Sequence, residues 1–240
     1  MISALFWIER RAKRRKISNV AESLRQNVPA IQLDAIGAVI LAAGPSTRMG
    51  TPKQLLEFGG KTLLRRAALV ALEASCRPVI VVTGANAAAS RESLRELDAR
   101  EIENQQWQSG MSSSVCIGIE ELVAVNPETM AAVIILCDQP LVTVETIRGL
   151  VRAHQETNCS IVASRYGNSY GVPALFGRTR FAELRELNGD EGAKAIIKRH
   201  FAQAHLLPFP EGEIDIDTPD DFARLQSMDC SAVSDVRRLR

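Results

Sequence analysis

The sequence predicts an α/β fold in which helices cover both faces of a mostly parallel sheet, as a three-layer α/β/α sandwich. Three short apolar runs, Ala38–Ala43, Pro78–Thr83 and Ala132–Cys137, are almost free of polar residues. Segments with apolar residues at helical spacing separate these runs. Strands that are apolar on both sides and alternate with helices are typical of a parallel sheet buried between two helical layers.

The remaining elements follow from the same two patterns, from turn residues and from helix caps. Helices are predicted at Thr62–Ser75, Ala87–Leu97, Ser112–Val123, Thr143–Glu156, Arg178–Leu187 and Ala193–Phe201. Further strands are predicted at Ile102–Asn104, Ile161–Arg165, Val172–Phe176, His205–Phe209 and Glu213–Asp217. The last strand leads into a helix for which Thr218 is the predicted N-cap and Pro219 the first residue.

The 240 residues suit one large α/β domain with two additions at its ends. We predict a basic extension at residues 1–33, the main domain at residues 34–227 and a polar tail at residues 228–240. The whole chain has a net charge of +1, which excludes a global electrostatic attraction to nucleic acid. The extension alone carries seven Lys or Arg and two Glu, so contact with nucleic acid or lipid stays open beside a plain solvated or helical tail.

Cysteine use and hydropathy indicate a cytoplasmic protein. The five cysteines are odd in number and widely spaced, which favours reduced thiols. No apolar stretch has the length of a membrane span, and the apolar start Met1–Ile8 precedes its charges instead of following them. We therefore expect no membrane partner and no secretory signal.

The stretch Gly37–Lys53 joins the first strand to a loop of glycine, serine and proline that contains Arg48 and Lys53. Such a loop can present backbone N–H groups to phosphate. A Walker loop is excluded because Thr51 and Pro52 separate Gly50 from the lysine, and a dinucleotide fingerprint is excluded because Ser46 replaces its second glycine. A glycine-rich surface turn with two solvated cations is the alternative.

The segment Leu-Ala-Ala-Gly-x-Ser-x-Arg-Met-Gly-x-Pro-Lys at residues 41–53 resembles the signature loop of the nucleotidyltransferases. Within them it is similar to the molybdenum cofactor cytidylyltransferase (MobA-like) branch, and the resemblance extends over Ala35–Gln226. It implies a Rossmann-like fold that binds CTP with Mg²⁺ or Mn²⁺. It also implies transfer of CMP to the terminal phosphate of molybdopterin, or of its molybdenum-loaded form, with release of pyrophosphate.

Two aspartates are the candidate metal ligands. Asp138 directly follows a buried strand, where a carboxylate is costly without a nearby charge, and hard divalent cations prefer carboxylate oxygens. The resemblance assigns the metal to Asp138 and to Asp217, which precedes Thr218-Pro219. A turn role for Asp138 and a capping role for Asp217 are the alternatives.

Arg48, Lys53 and Asp138 are the candidate catalytic residues. Nucleotidyl transfer builds negative charge on phosphorus and on the departing pyrophosphate, and fixed cations stabilise that charge. Arg48 can donate to two phosphate oxygens at once, whereas Lys53 acts as a point charge.

The resemblance also implies which residues bind each substrate. The candidate nucleotide-binding residues are Leu41, Ala42, Ala43, Gly44, Ser46, Lys53, Thr83, Gly84, Asn104, Ser112 and Ser113. The candidate acceptor-binding residues are Gln139, Pro140, Tyr170, Gly171, Pro173, Gly189, Asp190 and Gly192. Helix capping by Ser112 and Ser113 and plain turns at the glycines remain alternatives.

Fewer residues indicate which nucleotide base and which acceptor the protein uses. Guanylyl-transferring relatives tend to have Ala-Gly-Gly in the loop, whereas Ala42-Ala43-Gly44 resembles the cytidylyl type. Use of GTP, transfer to a sugar or alcohol phosphate, and a non-catalytic escort for the cofactor are the rival hypotheses. The expected partners are CTP, molybdopterin and an acceptor molybdoenzyme or its chaperone, with no nucleic acid.

Overall fold

A computed structural model describes residues 36–227 of the chain. The predicted basic extension at residues 1–33, the polar tail at residues 228–240 and Cys230 lie outside the described residues. The boundaries that we predict for these end segments therefore stay predictions.

A seven-stranded sheet forms the centre of the described part. Its strands are β1 Ile36–Ala42, β4 Val79–Thr83, β5 Arg100–Glu103, β6 Ala131–Leu136, β7 Ile161–Tyr166, β8 Ser169–Gly177 and β9 His205–Pro208. They lie in the order β5-β4-β1-β6-β8-β7-β9. The strands β5, β4, β1 and β6 are parallel, β8 is antiparallel to both of its neighbours, and β9 is parallel to β7. This arrangement confirms the predicted, mostly parallel sheet.

Helices cover both faces of this sheet. They are α1 Leu63–Glu73, α2 Ala87–Ser93, α3 Met111–Val125, α4 Val144–Thr157, α5 Phe181–Arg185, α6 Ala193–Arg199 and α7 at residues 219–227. Residues of β1 alternate between two apolar cores, so that Ile40 packs with α1 and α4 while Val39 packs with α3, α5 and α6. Full burial of an aliphatic side chain contributes about 1.5–3 kcal/mol, and this two-sided burial explains the apolar runs in the sequence.

Threonine side chains cap the starts of two helices. Thr62 precedes α1, and its hydroxyl accepts a hydrogen bond from the backbone N–H of Arg65. Thr143 precedes α4 and forms a reciprocal capping box with Thr146. These caps satisfy backbone donors that a helix start leaves free.

Two local predictions differ from the structure. The alternating segment Glu213–Asp217 is not a strand, because a 3₁₀ turn covers Pro210–Glu213 and an irregular segment follows. There Ile216 is fully buried in a small core with Met49, and its N–H donates to the carbonyl oxygen of Asp138 at 3.0 Å. The sequence analysis also missed a short hairpin, β2 Glu57–Phe58 and β3 Lys61–Thr62.

The sequence analysis also led us to expect reduced thiols and no membrane-spanning segment. Cys76 and Cys137 are buried free thiols, and Cys116 and Cys159 are partly exposed free thiols. Within residues 36–227, no helix is both long enough and apolar enough to cross a bilayer.

The close contact between α3 and the sheet gives a testable prediction. A Cβ at Gly118 would overlap the side chain of Val39 and would lie 3.0 Å from that of Val82, whereas a Cβ at Gly149 in α4 would have its nearest neighbour at 3.8 Å. We expect Gly118→Ala to lower the free energy of unfolding by about 1–3 kcal/mol because of overpacking. Gly149→Ala is the matched control and should raise it by about 0.5–1 kcal/mol, since alanine favours helix.

Urea denaturation with a common slope measures both values. A Gly118→Ala variant as stable as Gly149→Ala would contradict the close packing of α3 on the sheet.

Candidate active site

The glycine-rich loop begins at the carboxyl end of β1 and is fixed by its own hydrogen bonds. Ser46 has a φ of 57° and Gly50 a φ of 72°, both in the left-handed region that lets the loop turn tightly. The carbonyl of Ser46 accepts from the N–H of Met49 at 3.0 Å, and its hydroxyl accepts from the N–H of Lys53 at 3.0 Å. These hydrogen bonds connect the loop to the 3₁₀ turn Lys53–Leu55.

Lys53 joins the two predicted metal ligands. Its Nζ donates to Oδ2 of Asp138 at 2.5 Å and to Oδ1 of Asp217 at 2.9 Å. Arg48 donates to the other oxygen of Asp217 at 2.8 Å. The side chains of Lys53 and Asp138 are 18% and 14% exposed, whereas Arg48 is 70% exposed. Four residues from three distant parts of the sequence thus form one charged cluster beside the loop.

The charges in this cluster shift the pKa values of its members. Burial alone would lower the pKa of Lys53, but the carboxylate of Asp138 and then that of Asp217 outweigh it, so the pKa lies above its ordinary value. The hydrogen bond from Lys53 holds the pKa of Asp217 below its ordinary value. Asp215 is exposed, and partial desolvation by the surrounding protein, followed by the charge of Asp138, raises its pKa.

The donor set of this cluster fits a hard divalent cation. Oδ1 of Asp138 is buried and has no hydrogen-bond partner among the described residues. A buried carboxylate oxygen without a partner is costly, and a bound cation would satisfy it. Residues 36–227 contain no group of three or more His, Cys, Asp or Glu side chains arranged to hold a metal. A cation at Asp138 and Asp217 would therefore take its other ligands from substrate phosphate and water, as Mg²⁺ commonly does.

Asp221 holds Asp217 in place. Its Oδ2 accepts from the N–H of Thr218 at 2.9 Å, from the hydroxyl of Thr218 at 2.7 Å and from the N–H of Asp217 at 3.3 Å. The hydroxyl of Thr218 accepts in return from the N–H of Asp221, which confirms Thr218 as the N-cap of α7. The bonds from Thr218 are the main reason that the pKa of Asp221 is lowered to about 2.

A cleft of about 580 Å³ adjoins the charged cluster. The predicted site residues that line it are Leu41, Ala42, Ala43, Gly44, Arg48, Lys53, Asp138 and Asp190. The other lining residues are Pro45, Gln54, Trp107, Gln108, Gly110, Met111, Ser114, Leu136 and Cys137. Most of these residues are next in sequence to a predicted residue. Their position beside the motifs could therefore have identified them as cleft residues.

Two predicted base-binding residues support the loop and do not line the cleft. Thr83 is fully buried, and its hydroxyl donates to the carboxylate of Glu101 at 2.6 Å. A Cβ at Gly84 would lie 2.7 Å from the carbonyl oxygen of Ala43, so only glycine lets the two loops approach this closely. In this structure Gly84 therefore packs against Ala43 while the Thr83 hydroxyl is bonded to β5, and direct contact of either residue with the base stays a prediction.

The predicted serine and asparagine residues also make structural hydrogen bonds. The side-chain amide of Asn104 donates to the hydroxyls of Ser113 and Ser114 at 2.8 and 3.0 Å. The hydroxyl of Ser112 donates to the carbonyl oxygen of Gly189 at 2.7 Å. The N-cap of α3 is Gly110, so the alternative that these serines cap the helix is wrong. The bond from Ser112 joins the predicted nucleotide side to the predicted acceptor side.

The predicted acceptor residues lie in two groups within the described part of the chain. Asp190 lines the cleft, and Gly189 and Gly192 lie beside it against the start of α3, where a Cβ at Gly192 would lie 2.6 Å from Sδ of Met111. The other group belongs to β8 and to the turn after β6, which Gln139 links by donating to the carbonyl of Val172 at 3.2 Å. The residues of this second group, which do not line the cleft, are Gln139, Pro140, Tyr170, Gly171 and Pro173.

The fold and the chemistry at the ends of β1 and β6 define a nucleotide-binding α/β protein. A model of the family described as the MobA-like NTP transferase domain matches residues 38–204. The chain belongs to this family and is a nucleotidyltransferase.

Three curated relatives of similar length have names that state different roles. The chain is 31% identical to nicotine blue oxidoreductase from Paenarthrobacter nicotinovorans, over 80% of this chain and 97% of that protein. It is 29% identical to the purine catabolism protein PucB from Bacillus subtilis, over 77% and 92%. It is also 29% identical to a probable molybdenum cofactor guanylyltransferase from Mycobacterium avium, over 79% and 94%.

Solved structures agree with the family assignment. Rv0371c from Mycobacterium tuberculosis H37Rv is 31% identical with a TM-score of 0.67, over 80% of this chain and 97% of that one. A second structure of Rv0371c, in complex with manganese, is 30% identical with a TM-score of 0.65, over 80% and 98%. A nucleotidyl transferase from Methanothermobacter, 22% identical with a TM-score of 0.68 over 81% and 97%, shares the fold.

The support of Asp217 by Asp221 gives a prediction. Replacing Asp221 with alanine removes the acceptor for two backbone N–H groups, so the amides of Asp217 and Thr218 should exchange hydrogen faster than in the wild type. Lowering the pH from about 4 toward 2 should lower the protection of the same two amides in the wild type, measured relative to the intrinsic exchange rate at each pH. The lowered pKa of Asp221 means that the cap is complete above the ordinary value of 3.8 and is lost on protonation.

Hydrogen-exchange mass spectrometry or NMR measures both effects. Asp220→Ala, a change at the exposed neighbouring acid, is the control and should leave exchange unchanged. Equal exchange in Asp221→Ala and in the wild type would show that Asp221 does not hold Asp217.

Proposed function

We propose that this protein transfers CMP from CTP to the terminal phosphate of molybdopterin, or of its molybdenum-loaded form, and releases pyrophosphate. The observation that carries the proposal is the contact of the Lys53 ammonium with both Asp138 and Asp217, beside the glycine-rich loop. A cation and two carboxylates beside a glycine-rich loop suit the binding of a triphosphate together with a divalent cation, which supports the proposal. Membership of the MobA-like family supports the reaction class.

The chain's own cations would bind and orient the triphosphate. Backbone N–H groups of Gly44–Met49 would hold the β- and γ-phosphates. Lys53 would leave its carboxylate partners for the phosphate, and exposed Arg48 can swing from Asp217 to donate to two phosphate oxygens. Both cations then lie where charge develops on the leaving pyrophosphate, which is the usual source of catalysis in this kind of transfer.

Asp138 and Asp217 would hold Mg²⁺ or Mn²⁺. The unpartnered Oδ1 of Asp138 supports this, as does the manganese complex of the related Rv0371c. When bound, the cation would neutralise phosphate charge and orient the α-phosphate. The two aspartates position that charge within reach of Lys53.

The transfer itself needs no covalent intermediate on the protein. An oxygen of the acceptor's terminal phosphate would attack the α-phosphorus of CTP, a new P–O bond would form, and the bond to the β-phosphate oxygen would break. Pyrophosphate carries away the electron pair of that bond. The acceptor would enter past Asp190, the acceptor-side residue that lines the cleft. The product would then pass to a molybdoenzyme or its chaperone.

The choice of CTP rests on Ala43. Its carbonyl and Cβ would lie 2.7 and 2.9 Å from a Cβ at Gly84, so the loop after β4 fixes Ala43 at the wall of the cleft. A methyl group at this wall reduces the room for a base, which favours the smaller pyrimidine. The likeness to a probable molybdenum cofactor guanylyltransferase makes GTP the rival donor.

One assay tests the reaction and the role of Asp138. With molybdopterin, Mg²⁺ and each NTP in turn, the wild type should release pyrophosphate with CTP. Asp138→Asn should lower kcat about 10²–10³-fold, because the site loses a charge that organises the transition state. Asp98→Asn, at an aspartate that is 82% exposed, is the control and should keep full activity.

Absence of turnover with every nucleotide would contradict the enzyme assignment. Full activity of folded Asp138→Asn would show that this carboxylate is structural.

The donor choice has its own test in Ala43→Gly. Removing the methyl group leaves more room in the cleft for a purine base. The kcat/KM for GTP should therefore rise relative to that for CTP by about 10-fold, the scale of one methyl group in a pocket. Competition between the two nucleotides in the pyrophosphate assay measures the ratio. A wild type that uses GTP alone would overturn the choice of CTP, and an unchanged ratio in the variant would remove Ala43 from the explanation.

A further inference from the structure

Gln54 is a buried polar side chain at the cleft that the proposed function leaves unused. It lies in the 3₁₀ turn directly after Lys53 and is 1% exposed. It also lines the cleft beside the charged cluster. Its amide nitrogen Nε2 is buried and has no hydrogen-bond partner within the described residues. A buried amide that keeps two unused N–H donors destabilises the folded protein unless a ligand accepts them.

The other end of this amide is held by the glycine-rich loop. Oε1 of Gln54 accepts a hydrogen bond from the hydroxyl of Ser46 at 3.1 Å, and the same hydroxyl accepts from the backbone N–H of Lys53 at 3.0 Å. Ser46 was predicted to bind the nucleotide, but its hydroxyl is occupied by these two bonds and Ser46 is absent from the cleft lining. With its oxygen fixed in this way, Gln54 offers only N–H donors to a ligand.

We propose that Gln54 is a binding residue whose N–H donors contact the β- and γ-phosphoryl oxygens of the nucleotide. The inference rests on the proposed function, since it takes the cleft to hold a nucleoside triphosphate. Phosphoryl oxygens are acceptors only, which matches a side chain with donors only, whereas bases present both kinds of group. Ser46, to which Gln54 is bonded, belongs to the part of the loop assigned to these phosphates.

A neutral donor suits this place for an electrostatic reason. Lys53 and Arg48 already supply positive charge, and both are paired with carboxylates. A third cation here would compete for the same carboxylates, whereas an amide adds hydrogen bonds to phosphate without changing the charge of the cluster. Gln54 would therefore add selectivity for the triphosphate and for the leaving pyrophosphate.

One neutral substitution at Gln54 tests this role. Gln54→Met removes the N–H donors, and with them the acceptor for Ser46, without adding charge beside Asp138. A carboxylate at this position would repel phosphate whatever the role of Gln54 is. Gln203→Met, a change at an exposed glutamine outside the cleft, is the control.

The readout is equilibrium binding of CTP, CMP and inorganic pyrophosphate, measured by calorimetry with Mg²⁺ present. We expect Gln54→Met to weaken the binding of CTP and pyrophosphate about 10- to 100-fold, the scale of one hydrogen bond to a charged group. CMP should bind this variant as it binds the wild type, because it lacks the β- and γ-phosphates. Gln203→Met should keep the full affinity for CTP.

Thermal unfolding checks that the variants fold. Gln54→Met loses the bond from Ser46 but also the unused buried donors, so its midpoint should stay close to that of the wild type. If Gln54 only supports the loop, folded Gln54→Met will bind CTP and pyrophosphate as the wild type does, which overturns the proposal. Equal losses for CMP and CTP overturn it as well, because the contact would then lie on the nucleoside or the α-phosphate.

The wild type separates this inference from the function on which it rests. Binding of CTP and pyrophosphate by the wild type supports the nucleotide site whatever the variants do, and the variants then decide the role of Gln54. A wild type that binds neither probe would overturn the proposed function, and the role of Gln54 with it.

Discussion

The contact of one ammonium group with two carboxylates organises this protein. Lys53 lies 85 residues from Asp138 and 164 residues from Asp217, yet its Nζ contacts both. Two partly buried carboxylates that contact the same ammonium group would repel each other without it, and both are costly to desolvate. The cation between them therefore makes their approach possible. The ion pair thereby ties the glycine-rich loop to the segment before α7. It also holds together the ammonium group, which a phosphate would bind, and the two carboxylates, which a divalent cation would bind.

The sequence predicted the parts of this arrangement that depend on local pattern. The strands are apolar because both faces are buried, and the order of glycines and cations in Gly37–Lys53 excluded other phosphate loops. The segment at Asp217 was misread as a strand, because alternation does not show that buried Ile216 binds the carbonyl of Asp138 instead of a neighbouring strand. Gln54 was missed for a similar reason, since its unpartnered amide is visible only after its neighbours are placed in space.

The donor and acceptor halves of the proposed site are physically connected. The hydroxyl of Ser112, at the start of α3, donates to the carbonyl of Gly189, and the backbone N–H of Ser112 approaches the same oxygen at 3.2 Å. A Cβ at Gly110 would overlap this carbonyl, so the two backbones are in direct contact. Movement of the loop at Gly189 would therefore displace the start of α3, which lines the cleft. The contact between this loop and α3 holds the two halves together.

In the proposed complex, Asp138 and Asp217 hold a divalent cation while Lys53 turns to the phosphates. Crystals of the protein with CTP and Mn²⁺, measured at the manganese absorption edge, show where the cation lies. We predict an anomalous peak within coordination distance of both carboxylates, about 2.0–2.2 Å, and Lys53 Nζ hydrogen-bonded to the triphosphate. A peak away from these aspartates, or a Lys53 still bound between them with nucleotide present, would contradict this arrangement.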